Sequence, residues 1–418
     1  MRTRDKGPYN AETTIEMRPA TGGPAKTIVS ESSLLPSNTL DCWGPGGCLC
    51  WRPDGNLVFT VKEGSELSPS QWKWSLWQVR VDPEERPAFQ KPRRFAQLAD
   101  FTLGNMTTTA DGKILAFTKA RWHKDVYVGE LDSGSGALRA PRRLTLDDHD
   151  SYPDAWIHDN QSLLFVSNRY GKLELFKQGV KDSFAERIVS SAARELGGPA
   201  GLSADGSWIL YWQVPSSVGT TPPSSGRLMR QPVAGGPQET VLELPFSESS
   251  WTAFACPQKP GNSCVLSGSE GNSLLFFALD PMRGKGGLLG KIEFDKEGPF
   301  FWAISPDGSQ LAVVDRSHKD RIEILTIANR VWREITVDPG WGAYRSVAWA
   351  AEGKGFFLTT SSTESFNLIH VTLMGKGQVL LNSARRQPMY LPLPSPNGKY
   401  LAFQAITVDS NVWLLEHF

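Results

Sequence analysis

The stretch SPDGSQLAVV (305–314) decides the fold. Asp307 and Gly308 are turn residues, because Asp tolerates and Gly freely adopts positive φ, and an apolar, β-branched strand leaves the turn at once. The phrase recurs along the chain. RPDGNLVFTV carries Asp54 and Gly55, TADGKILAFT carries Asp111 and Gly112, and SADGSWILYW carries Asp205 and Gly206. SPNGKYLAFQ uses Asn397 and Gly398, IHDNQSLLFVS uses Asp159 and Asn160, and AAEGKGFFLT uses Glu352 and Gly353. From Asp54 the steps are 57, 48 and 46 residues, then a double step of 102, then 45 and 45. The double step holds a hairpin between Cys256 and Cys264, with Pro-Gly-Asn in place of Asp-Gly. Eight units of this length match the period of a four-stranded propeller blade.

Each unit has the same grammar. A first strand enters the turn, an apolar second strand leaves it, a third alternates (LWQVRV, DVYVGEL, IEILTI), and a short fourth closes most units (RRFAQL, REITV). One such sheet cannot bury both faces, whereas radially stacked sheets can. The expected fold is therefore all-β, a single propeller of four-stranded antiparallel blades, eight in number, or seven if one unit is degenerate. The expected limits are a disordered tail over 1–13 and a propeller over 14–418. The last unit, 385–418, lacks a fourth strand, and AKTIV (25–29) is a fourth strand without a blade. The two are expected to join, so that strands from both termini close the ring. IEMRPATGGPAKTIV (15–29) is a near copy of LMRQPVAGGPQETVL (228–242), which leaves TIEMRP (14–19) as a surplus third strand hinting at a longer architecture.

Basic and acidic residues balance at 44 each, which argues against a general polyanion-binding role and hence against nucleic acid as partner. No run of 18 apolar residues is present, and the first ten residues precede no apolar segment of a secretory signal. As written, the chain is expected in the cytoplasm as a monomer; as a fragment of a membrane-anchored regulator it would be periplasmic. Cys256 and Cys264 flank a hairpin loop and could be bridged, geometry deciding. Cys42, Cys48 and Cys50 suit buried apolar cysteines better than a metal site, having no nearby His.

The Ser-Pro-Asp-Gly repeats resemble TolB-type propeller repeats. DVYVGEL (125–131), YPDAWIHDNQSLLFVSNRYGKLELFKQ (152–178), FFALDPMRGKG (276–286) and the ending TVDSNVWLLEHF (407–418) resemble, more narrowly, the C-terminal propeller of acidobacterial serine/threonine kinases and winged-helix transcriptional regulators. That resemblance implies a sensory or protein-interaction module. It also leaves open a truncated remnant of a membrane-bound regulator, since neither effector domain nor membrane span is present in this sequence.

Catalytic motifs are missing. There is no glycine-rich phosphate loop with a strand lysine, no His-Arg-Asp loop and no Asp-Phe-Gly. GLSADG (201–206) belongs to the repeat and is not a Gly-x-Ser-x-Gly elbow. DDHDSYPDAWIHD (147–159) is the one dense cluster of His and carboxylates, and a solvated inter-blade loop is the simpler reading than a metal site at His149. No cofactor is expected. In a propeller, loops from fourth to first strands share a face with loops from second to third strands. That face should gather Arg121, Trp122, His149, Tyr152, Arg169, Tyr170, Arg316, Trp341, Tyr344 and Arg345 as candidate anchors for a protein, peptide or small ligand. The rival reading is a lyase or hydrolase with its site at the channel mouth, whose turnover would be lost on changing His149 or Arg169. The Asp-Gly turns on the opposite face look structural. SSVGTTPPSSG (216–226) is a low-complexity loop.

Overall fold

A computed structural model of the chain describes residues 2–5, 11–30, 34, 38–40, 48–63, 73–81, 91–99, 101–132, 136–189, 194–215, 225–245, 253–294, 300–384, 387–416 and 418. Cys42 and most of the 216–226 loop lie outside them. The described residues form eight antiparallel sheets, five of them four-stranded. They fall in two compact units, the described residues up to Trp122 and from Val408 onward in the first, those between His123 and Thr407 in the second.

The repeat is built by its turn. Ser305 Oγ donates to Asp307 Oδ1 at 2.6 Å and accepts from the Gln310 amide at 2.9 Å. Asp307 Oδ1 also accepts from the Ser309 amide at 3.0 Å, and Gly308 sits at φ 75°. The same bonds recur at Ser203/Asp205, Thr109/Asp111 and Ser395/Asn397, with Gly206, Gly112 and Gly398 at φ 71°, 69° and 69°. Gly55 takes φ 83°, and Asp54 Oδ1 accepts from the Asn56 amide. Ser, Asp and Gly thus recur because one accepts and donates, one accepts only, and one supplies the left-handed backbone. The Ser305 hydroxyl bond holds the Asp307 carboxyl below its ordinary pKa, against a smaller opposing effect of burial.

The second unit contains six sheets. Five follow the chain: Ser151–Trp156 to Glu186–Val189, Arg194–Leu202 to Glu239–Pro245, Phe254–Ala255 to Gly284–Glu293, Phe300–Ile304 to Val331–Thr336, and Ala343–Trp349 to Gly377–Ala384. The sixth is discontinuous in sequence. Met389–Pro394 and the first part of Tyr400–Glu416 supply its first two strands, and the last part of Ile114–Leu131 with Leu138–Arg143 supplies the others. Each sheet shares an apolar core with the next, and the sixth shares one with the fifth (Phe357, Leu368, Met389, Leu401, Phe403) and another with the first (Val126, Trp156, Phe165, Tyr400). The second strands show why their runs are continuously apolar. Along Gln310–Asp315, Ala312 and Val314 enter one core while Leu311 and Val313 enter another. Side-chain alternation thus sends successive residues to two neighbours, and both faces are dry.

The first unit is organised around the four-step sheet of Asn38–Leu40 and Leu49–Trp51, Asn56–Glu63, Lys73–Arg80 and Arg93–Ala99. One of its faces packs on Ile15, Ile28 and Val29, the other on Leu103, Leu115, Phe117, Leu415 and Phe418. Two expectations are corrected here. Lys26–Ser30 pairs with Ala11–Met17, not with the last unit, whose missing strands come from Ile114–Leu131 and Leu138–Arg143. Residues assigned to a disordered tail are paired too, Arg2–Asp5 lying antiparallel to Ala11–Met17. The 15–29 hairpin does reproduce its downstream copy: Gly22 donates to Pro19 O at 3.0 Å and Gly235 to Pro232 O at 2.9 Å, with φ 90° and 87°.

Candidate functional site

In the second unit, the face opposite the Asp-Gly turns carries a polar cluster around the 147–152 segment. Lys124 Nζ donates to Asp150 Oδ2 at 2.7 Å and to the Tyr152 hydroxyl at 3.0 Å. Burial works to lower the Lys124 pKa, but the charges and hydrogen bonds of Tyr152 and Asp150 outweigh it and hold the ammonium above its ordinary value. Arg143 pairs with Asp125 at 2.8 Å and donates to the Asp147 carbonyl. Arg169 pairs with Asp147 at 2.9 Å and lies over the Phe165 and Phe176 rings at 5.3 and 4.4 Å. His149 contacts Asp147 at 3.5 Å. The lattice is charge-balanced and internally bonded, which locks it. Above it stands Tyr170, 63% exposed, with Phe176 at 5.9 Å and the Arg187 guanidinium over its ring at 5.1 Å.

Two further arginines lie on the fourth and fifth sheets. Arg316 follows Gln310–Asp315 directly and is exposed. Arg345 is the unpaired residue of a bulge between the Tyr344–Thr360 and Ser346–Thr359 pairs, and its Nε donates to Ser361 Oγ at 2.8 Å. Tyr344 belongs to the core, and Trp341 is half-buried beside it. Tyr344 is fully buried, and Trp341 packs against the same cluster. Arg121 and Trp122 belong to the first unit. The structure therefore brings His149, Tyr152, Arg169 and Tyr170 into one cluster, while Arg316 and Arg345 lie on neighbouring sheets.

Sequence reasoning missed Lys124, the Asp125–Arg143 pair and Asp154. Asp154 is the bulge residue between Pro153 and Ala155 on the first strand of its sheet. Its Oδ2 is buried without a hydrogen-bond partner, and burial drives its pKa well above the ordinary value against one backbone hydrogen bond from Ala200. A carboxylate inside the apolar phrase YPDAW was the available sign. Among the described residues no group of three or more His, Cys, Asp or Glu is placed to hold a metal.

The turn face also has a cavity of about 400 Å³, lined by Ser203, Asp205, Trp208, Asn262, Asp280 and Met282. Its polar groups are spent on the turns, and Arg230 covers the Trp208 ring at 4.7 Å. Beside it Cys256 and Cys264 form a disulfide. Cys48, expected as a buried thiol, is also disulfide-bonded, whereas Cys50 is free with its thiol pushed up to about 11 by burial against the Arg52 charge.

These features define the chain as a β-propeller protein. No family model matches it, and no curated protein does. Among solved structures it is similar to TolB from Acinetobacter baumannii, at 14% identity and TM-score 0.44, over 79% of this chain and 80% of that one. It is also similar to a chain of a nidogen/laminin complex (12%, 0.45, over 68% and 98%) and to puromycin hydrolase (14%, 0.42, over 86% and 58%). Among the described residues no helix is long and apolar enough to cross a membrane.

Proposed function

We propose that the chain is a non-catalytic binding propeller, of the sensory or interaction kind found in bacterial signalling regulators, and that it captures its ligand on the loop face of the second unit. The observation that carries this reading is Tyr170, an exposed aromatic braced by Arg187 and Phe176 over a locked lattice of ion pairs. A rigid aromatic anchor beside Arg is the residue chemistry of binding hot spots. Groups that could move protons, Lys124 and Asp150 among them, are instead engaged with each other. The disulfides favour an oxidising compartment, in keeping with a propeller exposed outside the cytoplasm.

The test places a photo-crosslinking residue at Tyr170 and, in a second variant, at Met282 on the turn face. A single adduct of defined mass at 170 and none at 282 is expected. Equal labelling at both positions would remove the loop face from consideration. Turnover of any substrate that is abolished by Arg169→Ala would favour the enzyme reading instead.

A further inference from the structure

The first strands of the second unit stand side by side in the order of their sheets. Ala303 O accepts from Trp349 Nε1 at 3.1 Å, Ser346 Oγ from the Leu391 amide at 3.2 Å, and Leu393 O from Trp156 Nε1 at 2.8 Å. These bonds join the first strands of the fourth, fifth, sixth and first sheets in turn. The Ala200 amide bonds to Asp154, which joins the first to the second. A Cβ on Gly201 would lie 3.1 Å from the Phe254 ring, and Ala255 shares a core with Ile304, which places the third between the second and the fourth. A residue on such a strand has neighbours on both sides and its own sheet behind it, so what stays exposed faces the space the strands enclose. Leu391 is 41% exposed there. It sits in the bulge of its strand at φ 52°, a left-handed conformation that costs a leucine free energy.

Asp154 stands on the same inner wall, as the extra residue of the bulge between Pro153 and Ala155. Its strand and that of Leu391 are the two joined by the Trp156–Leu393 bond, and Asp154 and Leu391 each come two residues before it. One hydrogen bond reaches the carboxyl, from the Ala200 amide, while Oδ2 is buried with no hydrogen-bond partner. A carboxylate can accept about four hydrogen bonds, and a buried oxygen left without one costs free energy that a suitable donor would recover. A hard metal ion is a poor fit, since it asks for about six oxygens or more, and among the described residues no group of three or more His, Cys, Asp or Glu is placed to hold one. An ammonium nitrogen needs fewer partners and makes a charge-assisted hydrogen bond to a single carboxylate oxygen. We propose that Asp154 Oδ2 binds the ammonium group of a small organic amine inside the ring of first strands, with the alkyl chain of the amine against Leu391. The site goes beyond the loop-face reading and does not depend on it.

Isothermal titration of the full chain with the chlorides of n-butylammonium, methylammonium and calcium, at constant ionic strength, tests the site. n-Butylammonium is expected to bind more tightly than methylammonium, by about fourfold for each methylene buried. Asp154→Asn keeps the shape of the side chain and should weaken both amines about tenfold or more, the usual effect of losing a charge-assisted hydrogen bond. Leu391→Ala should weaken n-butylammonium and leave methylammonium unchanged. Glu352→Gln, at an exposed turn carboxylate, should change neither. Leu391 is exposed, so its variant stays informative if Asp154→Asn fails to fold. No n-butylammonium binding by the native chain, unchanged binding in Asp154→Asn, equal loss of both amines in Leu391→Ala, or calcium binding more tightly than n-butylammonium would each overturn the assignment. A specific adduct at Tyr170 with no amine binding would sink this site and leave the loop-face reading standing.

Discussion

Single residues show how the local code becomes a fold. A Cβ on Gly308 would combine φ 75° with an approach of 2.7 Å to Asn262 Cβ and 3.0 Å to Pro257 Cβ. Gly308→Ala should therefore cost about 1–3 kcal/mol in urea unfolding, more than backbone strain alone would ask. Asp154 makes the opposite case. Its folded-state pKa is raised above the unfolded value, so the folded state holds the proton longer and stability falls as pH rises above about 4. Asp154→Asn should gain on the native chain as pH rises above about 4, and a difference that does not change with pH would refute the assignment. At this scale the turn residues were legible because their bonds span only a few positions. The anchors were legible only as residue types. Tyr344 looked like a surface aromatic in GAYRSV, but the bulge at Arg345 shifts the alternation and puts Tyr344 in one core with Val347 and Trp349. Arg169 looked free in SNRYGK, yet Asp147, Phe165 and Phe176 had already claimed it.

At the level of strands and hairpins, the phrase after each turn foretold a strand because its residues must satisfy two cores at once. Leu163 and Phe165 face one neighbour while Leu164 and Val166 face the other, so no polar position is permitted in between. Partner choice was less legible. A third strand followed by a fourth, as in 14–29, carries the same local pattern whether or not it meets a first and second strand, and pairing is then settled by distant packing. The hairpin at 256–264 differs from the Ser-Asp-Gly turns, since it lacks their bonds and has a disulfide. Cys264 is 1% exposed, and the bridge closes a loop of sequence separation 8. Cys264→Ser should lower stability by roughly 2–3 kcal/mol, the loop-closure value for that length. A loss near zero in denaturant titration would show that strand packing alone holds the hairpin.

For the molecule as a whole, the decisive bonds in the second unit join residues far apart in sequence. Trp156 Nε1 donates to Leu393 O at 2.8 Å, Gln404 Nε2 to Ser151 O at 3.2 Å, and the Asn397 amide to Asn160 Oδ1 at 2.8 Å. They tie the sixth sheet to the first across separations of 237 to 253 residues. Such closure comes late in folding, because its chain entropy is recovered only when the intervening sheets are in place. An internal comparison is available. Trp349 Nε1 donates to Ala303 O at 3.1 Å, the same bond made between two sheets consecutive in sequence. Trp156→Phe and Trp349→Phe each remove one such donor, at a cost of about 1–2 kcal/mol. If the six sheets unfold as one cooperative ring, both variants should shift the same single transition by similar amounts and leave its slope unchanged. If the join between sixth and first sheets is a weak seam, Trp156→Phe should instead open a second, earlier transition that Trp349→Phe does not. Hydrogen exchange at Leu163, Phe165, Phe357 and Leu358 would locate that transition, with the first pair losing protection before the second only in the case of a seam.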